Sequence, residues 1–168
     1  MSSKYKFYMI ACDKDGTVIQ SSEKDLETDF NGLVYSKCEG LDTIGAAKNI
    51  YEEKYADSDS IRVYMPVITD ESGNTIFDIK NEPTTIKLTL FFVGENRHTV
   101  RDDFNEYVRN GFHKYWDNAR KRMFQFYVSK ELPIGEEKWY GSTPYLKCEY
   151  TLNNIHGKTE LKETKKWE

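Results

Sequence analysis

The segment TTIKLTLFFVG, residues 84–94, constrains the fold of this chain more than any other stretch. Ile86, Leu88, Leu90 and Phe92 fall on one side of an extended backbone, and Thr85, Lys87, Thr89 and Phe91 on the other. A period of two is the pattern of a strand with one face buried. Such a strand must satisfy its backbone groups against neighbours, and the chain offers many. Residues 5–12, 17–21, 33–38, 61–65, 112–116, 120–129 and 145–152 all read as strands. In the last of these, Leu146, Cys148, Tyr150 and Leu152 point inward, with Lys147, Glu149 and Thr151 outward. Residues 67–84 read as a polar, protruding β-hairpin that turns at Ser72-Gly73-Asn74.

A single helix is well marked, at about 99–110. Thr99 serves as its N-cap, Asp102 as the capping-box partner and Gly111 as the stop. Val100, Phe104, Tyr107 and Val108 recur on one face of it. About eight or nine strands joined by turns, with one flanking helix, predict a mainly β fold: an antiparallel β-sandwich or barrel. The chain, 168 residues long, is read as one β-rich domain over 1–155, followed by a flexible charged tail over 156–168.

The stretch DKDGT, residues 13–17, poses the sharpest chemical question. Asp-x-Asp-Gly-Thr after an apolar run resembles the opening motif of haloacid-dehalogenase-like phosphatases. That resemblance implies Asp13 as nucleophile and Asp15 as general acid and base, with magnesium and a lysine holding the phosphoryl charge. The same residues make a four-residue hairpin loop, in which Asp13 and Asp15 bond nearby amides and Gly16 takes a positive φ. The phosphatase fold needs a parallel sheet with helices between its strands, and residues 16–85 supply no pair of amphipathic helices. Glu95 also stands where that family has Asp. The hairpin turn is the preferred reading and the phosphatase the alternative.

Other chemistry is thin. His98, His113 and His156 lack zinc-like spacing, and Cys12, Cys38 and Cys148 are scattered, as buried reduced thiols would be. Gly16 comes too early for a calcium loop. The glycines of FNGL and YGST mark turns, and Ser142 is not in a nucleophile elbow. No cofactor and no metal are expected. The net charge of −4 argues against general nucleic-acid binding. No stretch is apolar enough for a membrane span, and none resembles a secretion signal, so a cytoplasmic place of synthesis and no membrane partner are expected.

Aromatic residues make up 14% of the chain, more than one small core needs. Two clusters mix them with arginine, the composition of an interface anchor, and a third sets two large rings on a loop. They are Tyr51, Tyr55, Arg62 and Tyr64; then Tyr115, Trp116 and Arg120; then Trp139 and Tyr140 on a Gly/Pro loop. Core filling is the competing reading of the same rings. The basic RKR at 120–122 is read as a solvated strand end or a contact to an acidic partner.

The runs NIYEEKYADSDSIRVYMP, TTIKLTLFFVGENR, DDFNEYVRNGFHKYWDNARKR and KWYGSTPYLKCEYTL resemble small tail proteins of phages and prophages of Bacteroides-type bacteria, a likeness that covers roughly residues 30–152. That resemblance implies a non-enzymatic virion subunit of the tail tube, distal tail or connector. Its partners would be copies of itself in a ring and other tail proteins, with DNA only as cargo passing the lumen. A β-sandwich binding module using Trp139 and Tyr140 is a further alternative.

Overall fold

A computed structural model describes residues 6–40, 51–54, 61–64, 67–69, 71–72, 75–77, 84–109, 111–128, 132–157 and 159–168; between 51 and 77 it is the backbone strands that are described. In chain order the strands are β1 (Phe7–Cys12), β2 (Lys24–Asp25), β3 (Leu33–Glu39), β4 (Tyr51–Lys54), β5 (Ile61–Tyr64), β6 (Val67–Thr69) and β7 (Thr75–Phe77). They continue with β8 (Thr84–Val93), β9 (Phe112–Asp117), β10 (Arg122–Val128), β11 (Glu136–Tyr140), β12 (Thr143–Asn154) and β13 (Glu160–Leu161). A short helix, α1 (Leu26–Asp29), precedes β3, and the longer α2 (Arg97–Arg109) follows β8.

The fold is mainly β, as the strand pattern predicts. Nine strands form one antiparallel sheet in the order β2-β1-β9-β10-β12-β8-β3, with β11 beside β12 and β13 beside β10. The sheet does not close. The strand β10 makes it bend. One side of β10 runs along β9; the other meets β13 at Arg122 and Met123, then β12 at Tyr127 and Val128. The two halves therefore curl toward each other, and the far strand β3 reaches β1, where the Phe7 and Tyr35 rings meet edge to face at 5.3 Å. Side chains bridge this seam. Glu27 Oε1 accepts from the Tyr35 N–H at 3.2 Å, and Arg120 Nη1 donates to the Cys38 carbonyl at 3.1 Å. The register of β3 on β8 shifts between Tyr35 and Lys37, a bulge of the kind that blunts an edge strand.

Inside the curl lies the main core. The predicted inward faces of β8 and β12 meet: Ile86, Leu88, Leu90 and Phe92 face Leu146, Cys148, Tyr150 and Leu152, and all are buried, but Thr89, expected to point outward, is buried as well. Phe7, Met9, Tyr115, Phe124 and Phe126 come from the other half, and α2 lays Phe104 and Val108 across the opening. The Phe104 ring touches Tyr150 at 5.1 Å, Phe30 at 5.5 Å and Phe92 at 6.0 Å. Much of the aromatic content is thus consumed by the interior.

A second, smaller core covers the outer face of β1, β9 and β10. Ile10, Trp116 and Met123 pack there against Trp167, which is 6% exposed. The segment expected to be a flexible tail is therefore tied down over residues 159–168. β13 pairs with β10, the Trp116 indole N–H donates to the Lys162 carbonyl at 2.9 Å, and Lys114 Nζ donates to the Trp167 carbonyl at 2.8 Å. The Trp167 indole N–H donates to Glu23. A large apolar ring near the end of a charged segment gains enough from burial to order the segment.

Several boundaries differ from expectation. Residues 17–21, read as a strand, make only the single bridge of Val18 to Cys12 before a 3-10 turn at Gln20–Ser22. The helix α2 begins two residues early, at Arg97, so Thr99 lies inside it instead of capping it, and Asp102 is held by Arg101 at 2.7 Å. Gly111 does take a positive φ, of 83°, just beyond the helix, as a stop requires. The segment expected as a Trp-Tyr loop contains β11. The hairpin expected at 67–84 occurs as β6 paired with β7, a two-stranded sheet of its own. None of the helices among the described residues is long and apolar enough to cross a membrane.

Candidate functional site

The residues expected to mark a site divide by burial. Tyr115 and Trp116, expected at an interface, are both buried inside the chain. The reason is the position of β9, a central strand covered by the main core on one face and by the Trp167 cluster on the other. Tyr115 stacks on Phe124 with centroids 4.9 Å apart, and its hydroxyl donates to Asp117 Oδ2 at 3.0 Å. Arg120 is exposed, and one of its nitrogens serves the seam at Cys38. Tyr51, Arg62 and Tyr64 lie on the paired strands β4 and β5, with Tyr51 opposite Tyr64 and Glu53 opposite Arg62. Tyr55 lies outside the described residues.

Trp139 and Tyr140 are different. They sit at the tip of the β11–β12 hairpin, 63% and 84% exposed. Tyr140 pairs with Thr143 across the two-residue turn Gly141-Ser142, and Gly141 has φ 59°, the sign that tight hairpin turns favour. Both faces of β11 are open along most of its length. At its root, Ile134 is 78% exposed, just before Gly135. Gly135 has φ 97°, and a Cβ there would lie 2.7 Å from Cys148 Sγ. That close approach presses the start of β11 onto β12.

The first turns of α2 hold the root rigidly. Glu137 Oε1 accepts from Arg97 Nη2 at 2.8 Å, from Arg97 Nε at 3.0 Å and faces His98 Nε2 at 2.9 Å. The Arg97 hydrogen bonds hold the Glu137 carboxyl below its usual pKa. Arg101 Nη1 donates to the Ile134 carbonyl at 2.7 Å, and Asn105 Nδ2 to the Pro133 carbonyl at 3.1 Å. Asn105 is itself fixed by the buried Tyr150 hydroxyl, which donates to its Oδ1 at 2.6 Å. Two large exposed rings are thereby presented on a braced arm. Along β11, Lys138 faces Glu136 at 3.3 Å.

The DKDG stretch forms the expected turn. Asp13 Oδ1 accepts from the N–H groups of Asp15 and Thr17, each at 2.9 Å, and Gly16 has φ 90°. Asp13 is therefore occupied in holding its own loop. Beside it is a cleft of about 250 Å³ lined by Asp15, Lys114, Gln125, Asn154, His156 and Glu160, among others. Two of its polar side chains are bound to backbone: Lys114 to the Trp167 carbonyl, and Gln125 Nε2 to the Lys14 carbonyl at 3.1 Å. The antiparallel sheet lacks, among the described residues, the crossover helices that the phosphatase arrangement uses.

No protein-family model matches the chain, and no curated protein matches it. The three thiols are free and buried, and burial raises Cys12 and Cys148 to about 11 and Cys38 to about 12, values at which a thiol is inert. Among the described residues no group of three or more His, Cys, Asp or Glu is placed to hold a metal ion. Among the described residues, Tyr140, Ile134 and Trp139 of this hairpin are the most exposed large apolar side chains.

Proposed function

We propose that this chain is a structural subunit of a virion, a phage tail component that assembles with copies of itself and with other tail proteins into a ring or tube. The single observation that carries the assembly reading is the β11–β12 hairpin, with Trp139 and Tyr140 63% and 84% exposed at its tip. Large exposed rings are the residue types that dominate protein interfaces, and they bury best in a partner's pocket. The tail assignment rests on the resemblance of residues 30–152 to small tail proteins. The curled sheet with one flanking helix suits that role. Rings form when copies meet head to tail through an interface that closes. A net charge of −4 suits a lumen that lets DNA pass, since binding it requires neutralised phosphates.

Two other readings make different demands. A binding module would use the same rings on a monomer, to stack on a glycan. A magnesium-dependent phosphatase would use Asp13 and Asp15 beside the Lys114 cleft, and would have to free Asp13 from its turn. Light scattering over a range of concentrations, followed by negative-stain images, tests the proposal. Masses that are multiples of 19.7 kDa, reduced in Trp139→Ala/Tyr140→Ala, are expected. A strict monomer whose rings bind glycans overturns it in favour of the binding module. A strict monomer with phosphatase activity that Asp13→Asn abolishes overturns it in favour of the enzyme.

A further inference from the structure

We infer that the open edge of β11 pairs with β11 of a second copy of this chain, antiparallel across a two-fold axis at Glu137. The inference rests on the reading of this hairpin as an assembly surface and names its partner.

Four strands end the sheet or its branches. β2 and β13 have two residues each, too few to template a ladder. β3 has seven, but a bulge interrupts it, Glu27 takes the Tyr35 N–H and Arg120 takes the Cys38 carbonyl. Those are devices that guard an edge. β11 has five residues, and β12 is its one strand partner among the described residues. Tyr140 and Thr143 flank a two-residue turn, so they form a hydrogen-bonded pair. By the alternation of antiparallel ladders, Lys138 and Glu136 also bond to β12, which leaves the N–H and C=O groups of Glu137 and Trp139 facing outward.

Charge chooses the register. Centred on Glu137, the pairing sets Glu136 of each copy opposite Lys138 of the other, twice by symmetry. It also brings the exposed Ile134 of each copy to the exposed Tyr140 of the other. The two Glu137 carboxylates approach each other, but each is already paired with Arg97 of its own chain. Centred on Lys138 instead, the pairing sets two lysines directly opposite, an unfavourable arrangement, and each has only Glu136, 3.3 Å away on its own strand, to offset it. The first register is the one the charges favour. A two-fold contact is self-complementary and does not by itself close a ring; it joins copies of two rings face to face.

The test is disulfide trapping of Glu137→Cys in the full chain. A two-fold at this residue sets the two Cα atoms about 5.5 Å apart, within the range a disulfide spans. Under mild oxidation a covalent dimer is expected, while Val34→Cys on the guarded strand β3 stays monomeric. Charge reversal gives an independent arm. Glu136→Lys alone and Lys138→Glu alone each weaken association about tenfold. The double reversal restores it, because the two exchanged charges again face their opposites across the axis. Cross-linking of Glu137→Cys no faster than Val34→Cys, or a double reversal as weak as the single ones, overturns the pairing. Rings seen in wild type without cross-linking leave the assembly reading standing with a different contact. Cross-linked dimers with no larger species leave the pairing standing and remove the ring.

Discussion

Replacing Trp167 by alanine tests whether the C-terminal segment is part of the fold. The side chain is almost wholly enclosed by Ile10, Trp116 and Met123. A buried tryptophan removes roughly 200 Å² from water, worth about 5 kcal/mol at ~25 cal/mol per Å². The denatured chain already hides part of that area, which lowers the figure to about 3–4 kcal/mol. Loss of the indole hydrogen bond to Glu23 acts in the same direction, although Lys165 still holds that carboxylate at 3.0 Å. Urea denaturation of Trp167→Ala should show a lower midpoint with an unchanged slope, and a melting temperature about 10 °C lower. Hydrogen exchange adds a local readout. The Lys162 amide, which donates to the Lys121 carbonyl at 2.8 Å, should lose protection first. A loss below about 1 kcal/mol with the Lys162 amide as protected as in wild type would refute the second core.

Tyr150→Phe removes the hydroxyl that Asn105 accepts, leaving a buried oxygen unpaired; a loss of about 1–3 kcal/mol by chemical denaturation is expected. Gly135→Ala forces a side chain into a backbone conformation with φ 97° and toward Cys148 Sγ, so a loss of about 2 kcal/mol and looser exchange protection along β11 are expected. His113 is buried, and burial lowers its pKa from 6.5. The unfolded chain therefore takes up a proton first as pH falls, and stability should begin to drop near pH 6.5 and go on dropping until the folded pKa is passed. In His113→Phe, which keeps a ring against Phe126 and Tyr107, the stability profile between about pH 7 and 5 should be flatter.

The elements most legible in the sequence are those with one wet and one dry face. β8, β12 and the apolar stripe of α2 show their periods directly, and the predicted inward residues of both strands are buried, with Thr89 buried beyond the prediction. β11 shows no period because most of both its faces are exposed, and Gly135 and Gly141 at its ends imitate a loop. The start of α2 is displaced because Thr99 and Asp102 have the spacing of a capping box, while Arg101 claims Asp102 for itself. Tyr115 and Trp116 resemble interface anchors because a central strand covered on both faces carries rings on adjacent residues. Only the docking of Trp167 makes the second of those faces dry. The signal for that docking is present in the sequence: a lone tryptophan amid lysines and glutamates is a group that requires cover.

The pairing of β1 with β9 joins Phe7 to Asp117, 110 positions further on. A ribosome adding about 5–20 residues per second takes roughly 5–20 s to cover that interval. Throughout it, Phe7, Met9 and Ile10 have been made but have only the two-residue strand β2 beside them. The loop that must then close is long, and pairings of such separation are intrinsically slow to form. The first strand of the chain is thus among the last to be seated, and in the living cell this apolar stretch is where a chaperone would be needed during synthesis.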